Sequence, residues 1–69
     1  MQPDRARTIA ALRESVRSLQ RLLETERRIA EGTDPDLVAR ARSEIPRLEA
    51  LIAEGEARIA GVEALPPLG

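Results

Sequence analysis

Sixty-nine residues with no Cys, no His and no aromatic side chain allow one small domain and exclude a disulfide framework, a zinc knuckle, a thiol nucleophile and a histidine base. A formal charge of −1, with no ring on which a base could stack, argues against nucleic acid as a partner, because nonspecific affinity rests on phosphate neutralisation. So short a chain buries little surface, and with disulfides and zinc removed, association with another chain is the support left to it.

All eleven basic residues are Arg, a usage that points to a GC-rich genome rather than to selected guanidinium chemistry. The apolar stretches are only a few residues long, too short to span a bilayer. Asp4 and Arg5 occupy the place where a signal peptide needs an apolar run, so cytoplasmic residence is expected.

The first helix is expected over about residues 4–31. Neither Gly nor Pro interrupts it, and Ile9, Leu12, Val16, Leu19, Leu23 and Ala30 recur at steps of three and four, the spacing of a heptad seam. Pro3 and Asp4 suit its start. Arg27 and Arg28 suit its last turn, where cations offset the helix dipole, and Gly32 can take a left-handed conformation that ends it.

A turn over 32–35 follows, with Asp34 as N-cap, Pro35 at the first helical position and Asp36 in the first turn of a second helix over about 35–63. Its seam is Val38, Ala41, Ile45, Leu48, Ile52, Gly55, Ile59 and Val62. Pro46 removes the hydrogen bond to the Arg42 carbonyl and is expected to kink the helix without breaking it, since Ile45 would be a poor N-cap for a new one and the seam keeps its phase. Leu65, Pro66, Pro67, Leu68 and Gly69 cannot continue a helix, so 64–69 reads as an extended tail, either an untidy terminus or a docking strap.

So short a turn makes the helices antiparallel neighbours. The expected fold is all-α: an antiparallel two-helix hairpin, coiled-coil-like, forming a single domain over 1–69. With Ile9 and Val38 as a positions, the e positions of both helices share one edge and the g positions the other. The e edge holds Arg13, Gln20, Arg27, Arg42, Glu49, Glu56 and Glu63 and is polar. The g edge holds Thr8, Ser15, Leu22, Ile29, Leu37, Glu44, Leu51, Arg58 and Leu65 and is largely apolar. Leu22, Ile29, Leu37 and Leu51 either thicken the hairpin's own core or form the contact face for another chain. The second is preferred, because contiguous apolar surface on a small protein marks an interaction site.

Residues 1–31 hold seven Arg against five acids and residues 32–69 four against seven, so the helices attract weakly. Glu24 with Arg28, Asp36 with Arg40 and Glu54 with Arg58 stand in the favourable i to i+4 order. Two seam positions depart from the pattern. Glu26 is expected to turn its head to solvent or to an Arg across the turn, and Gly55 to mark a close helix approach. Glu24 with Glu26 and Glu54 with Glu56 point to different helix faces and make no acid pair, while the Arg13, Arg17, Arg21 and Arg28 column is interspersed with acids and reads as a solvated face. Nothing supplies a nucleophile with a tuned acid or base, so no enzyme, cofactor or metal is expected.

The run Glu26-Arg27-Arg28-Ile29-Ala30-Glu31-Gly32-Thr33-Asp34-Pro35, followed by a Leu- and Ala-rich helix with Leu48, Leu51, Ile52 and Ile59, resembles the small YscE-type proteins of bacterial type III secretion, hairpins of about this length. Several of those carry an aromatic residue where this chain has Leu37 and Val38, and Pro46 is a further departure. The resemblance implies a cytoplasmic co-chaperone that binds a tetratricopeptide-type chaperone and with it keeps the secretion needle subunit soluble. Two other expectations stand beside it. One is a homodimer of hairpins forming a four-helix-bundle adaptor. The other is a Rop-like RNA-binding hairpin using the Arg column, which the acidic balance opposes.

Overall fold

In the computed structural model, which describes residues 3–66 of the chain, two helices follow one another: α1, Pro3–Ala30, and α2, Pro35–Ala64. They lie antiparallel as one hairpin, and no strand occurs among the described residues. The tail anticipated over 64–69 begins one residue later than expected, because Ala64 closes α2. Leu65 is extended, φ −63° and ψ 134°, as the residue before a proline is driven to be. Pro67, Leu68 and Gly69 lie outside the described residues.

α1 stops differently from the expectation. Gly32 does not adopt the left-handed conformation. Instead, the Glu31 N–H is shared between the Arg27 and Arg28 carbonyls, both at 3.2 Å, and the Gly32 N–H donates to Ile29 at 2.9 Å, tightening the last turn. Glycine is useful there for room: a Cβ would stand 3.1 Å from the Ile29 carbonyl oxygen. The start of α2 is as expected. The Asp34 carboxylate accepts from the Asp36 and Leu37 N–H groups at 3.1 and 3.3 Å, and Pro35 opens the helix where its missing N–H costs nothing.

All fifteen positions of the two seams, Glu26 and Gly55 included, are buried or half-buried. Val16, Leu23, Leu48 and Ile52 form the central cluster, with Leu19, Ile45 and Ile59 packed against it. Ala41 is fully enclosed near the turn. Pro46 is exposed on the outer side, and α2 continues through it with the seam in phase on both sides. Two interhelical ion pairs mark the register, Arg13 to Glu63 at 2.8 Å and Arg27 to Glu49 at 3.2 Å, two heptads apart on each helix. In the same register Gly55 faces Val16, and a Cβ on Gly55 would come to 2.7 Å from the valine Cγ2. The glycine marks a close approach of the helices, as the sequence suggested.

Candidate protein-docking face

A pair of helices joined along one seam is a ribbon with two broad faces, and heptad position decides which residues each face carries. On the e face Arg13, Arg27, Glu49 and Glu63 are tied together across the helices. Arg5 joins them by donating to the Glu63 carbonyl at 2.7 Å. The last turn of α2 has no basic residue of its own, so this guanidinium from α1 supplies the cation that the negative end of the dipole favours. Sequence reasoning missed Arg5, although it continues the seam phase one turn before Ile9 and half-buries there. The shallow depression on this face has charged walls, Arg13, Arg17 and Glu56, around the edges of Val16 and Ile59.

The g face is built otherwise. Leu22, Leu37, Leu51 and Leu65 are 54, 49, 42 and 56% exposed, while Ile29 is half-buried. These leucines therefore do not thicken the hairpin's core, whose interior stops at the a and d rows. Between the helices near the turn runs a groove of about 350 Å³, walled by Leu22, Ile29, Leu37 and Leu48 with Glu26, Arg40 and Glu44 among them. A second groove of about 210 Å³ is walled by Leu12, Leu19, Leu51 and Gly55, with Glu54 and Arg58 among them. The turn residues Gly32, Asp34 and Pro35 place Leu37 in the first turn of α2, beside Ile29 at the end of α1.

Glu26 does not pair with an Arg across the turn, but its head reaches solvent as the sequence suggested, since among the described residues no side-chain oxygen of a half-buried residue is cut off from water without a hydrogen-bond partner. It is half-buried in the first groove, and among the described residues no cation comes within 4.0 Å of it. The local pairs are also fewer than expected: Glu54 and Arg58 meet at 3.2 Å, but Glu24 with Arg28 and Asp36 with Arg40 do not. Arg17 with Glu14 and Arg47 with Glu44 meet instead, at 3.3 and 4.0 Å. Long exposed side chains lose rotamer freedom for little Coulomb gain, so their partners are weakly specified by spacing.

Among the described residues no cluster of acids has the geometry to hold a metal ion, and no helix is long and apolar enough to cross a membrane. In the Arg column of α1, Arg13 and Arg17 point to carboxylates, and all four members are exposed. Comparison with protein-family models, curated proteins and solved structures finds no match.

Proposed function

We propose that this chain is a non-catalytic binding module whose g face docks on another protein. The observation that supports it is the division of the ribbon: one face crossed by ion pairs between the helices, the other carrying four exposed leucines, Leu22 and Leu37 along one groove and Leu51 along a second. Exposed apolar side chains set in a row on a small chain are removed from water by a partner or cause indiscriminate association. Helical grooves of this kind receive apolar anchors at i, i+3 and i+4 spacing. The partner class comes from the resemblance of the 26–35 segment: a tetratricopeptide-type chaperone, itself built of helices, with which the hairpin would act as co-chaperone for a type III secretion needle subunit in the bacterial cytoplasm.

The test is calorimetric titration of the full chain into such a chaperone from the same source, comparing wild type with Leu22→Glu/Leu51→Glu and with Gln20→Lys on the e face. Losing two buried leucines removes roughly 3–6 kcal/mol, so the double variant should bind at least about 100-fold more weakly. Gln20→Lys should bind as wild type. No binding by wild type, or equal binding by the leucine variant, would overturn the proposal.

A further inference from the structure

α1 carries a second seam. Its c and g positions from Thr8 onward are Thr8, Ala11, Ser15, Ser18, Leu22, Thr25 and Ile29, again at alternating steps of three and four and without one charged residue. Every other charge of α1 between Thr8 and Ile29 except Glu26 falls on b, e or f positions. The two seams are set about 110° apart around the helix, at 100° per residue, close to the right angle at which a helix of a four-helix bundle meets two neighbours. α2 shows no such second seam, because Arg40, Glu44, Arg47, Glu54 and Arg58 occupy its c and g rows.

The polar groups in this stripe are partly satisfied at home. The Thr8 hydroxyl donates to the Asp4 carbonyl at 2.8 Å and the Thr25 hydroxyl to Arg21 at 3.1 Å, so what these residues offer outward is a methyl group. Ile29 is half-buried, Leu22 is 54% exposed, and the other five positions are open to solvent.

We propose that the occupant is a second copy of this chain, with α1 lying antiparallel on its partner's α1 across a two-fold axis. Three observations select it. The stripe is uncharged, so bringing two copies of it together places no like charges in contact, as every other face of α1 would. Size is self-complementary in the antiparallel sense: a register centred on Gln20 sets Leu22 on the partner's Ser18 and Ile29 on the partner's Ala11, each bulky residue over a small one, the device that Val16 and Gly55 use inside the hairpin. The α1 stripe alone is one helix wide, but in the same register α2 lies on the partner's α2 with Glu54 opposite the partner's Arg58, so the whole broad face is engaged, about 45 Å long and about 18 Å wide, on the order of 800 Å², one partner's share of a standard interface. The inference rests on the g face being a docking face, and it makes the self-pair the form that a chaperone partner displaces.

The test is light scattering on the full chain across a micromolar concentration series, with helicity measured on the same samples. Wild type should weigh twice 7.6 kDa. Ser18→Arg, which leaves both core seams intact and replaces an exposed residue by a better helix former, should stay helical and fall to one chain's mass. A monomeric wild type overturns the inference, and so does a Ser18→Arg dimer as tight as wild type. Orientation is read by cross-linking, since the chain has no cysteine of its own. Ser18→Cys/Leu22→Cys should oxidise to a covalent dimer and Leu22→Cys alone should not, whereas efficient cross-linking of Leu22→Cys alone would mean parallel α1 helices and refute the antiparallel pair. A monomeric wild type that still binds the chaperone through its leucines removes this inference and leaves the proposed function standing. A Ser18-dependent dimer that ignores the chaperone does the reverse.

Discussion

Replacing Gly55 and then Gly61 by alanine makes one chemical change at two places in α2 and should move stability in opposite directions. Both glycines are inside the helix, where alanine is better by up to about 1 kcal/mol of propensity. At Gly61 nothing stands within 4 Å of the new Cβ, so most of that gain should appear, reduced to about 0.5 kcal/mol because Ala64 closes the helix one turn later. At Gly55 the new Cβ would meet the Val16 Cγ2 at 2.7 Å, about 1 Å inside the ordinary contact distance between carbon atoms. Valine in a helix has essentially one χ1 rotamer, so the methyl cannot swing aside and the helices must part or α2 must shift. Overpacking of that size costs about 1–3 kcal/mol, and the net change should be a loss of about 1 kcal/mol. Thermal melts by circular dichroism, at one fixed chain concentration because association would couple to stability, resolve both, since about 1 kcal/mol shifts the midpoint of a domain this small by about 4–8 °C. If Gly55→Ala melts as high as Gly61→Ala, the close approach at Val16 does not exist and the register is wrong. Val16→Ala/Gly55→Ala should then fail to show the non-additive recovery that two touching sites produce.

Three further outcomes follow from the same packing. Pro46→Ala should raise the melting midpoint, because it returns a donor to the Arg42 carbonyl at an exposed position and relieves a site worth up to about 3 kcal/mol; a drop would mean the proline shapes α2 for its partner helix. Asp34→Ala should cost about 1 kcal/mol by leaving the Asp36 and Leu37 N–H groups without their carboxylate, and an unchanged urea midpoint would contradict the cap. Arg13→Ala/Arg27→Ala should cost no more than about 2 kcal/mol in low salt and less in molar salt, as exposed pairs do; a loss that is large and indifferent to salt would show that the side-chain stems, not their charges, hold the e face.

The hairpin was legible because its signals are local and repeated. Thirteen of the fifteen seam positions carry an apolar side chain, and the Asp34-Pro35 pair states where α2 begins. Heptad position also sorted the edges: Arg13 and Arg27 find Glu63 and Glu49 because e rows of antiparallel helices are neighbours, and the g-row leucines lie outside the core because two helices have only one seam between them. What stayed illegible depends on single rotamers and single backbone hydrogen bonds. Gly32 suggested a left-handed stop, but the chain ends α1 by tightening its last turn onto Ile29, an alternative the same glycine permits. Arg5 could be placed on the seam by phase, yet its bond to the Glu63 carbonyl needs the register of two helices whose ends are far apart in sequence. Glu26 was recognised as the wrong residue for a core, whereas its place beside Arg40 and Glu44 in the g-face groove follows only from three dimensions.

The central claim, that the g face is the side this hairpin gives to other chains, is tested most directly by the accessibility of leucine methyl groups to a paramagnetic solvent probe in methyl-labelled full chain. Spectra would be recorded dilute, concentrated, and with the chaperone bound. The methyls of Leu22, Leu37 and Leu51 should be relaxed strongly in the dilute sample and protected on association, while the Val16 and Ile59 methyls bordering the e-face depression keep the relaxation they show alone. Leucine methyls as accessible in the complex as in the dilute chain, with protection at the e-face depression instead, would contradict the account.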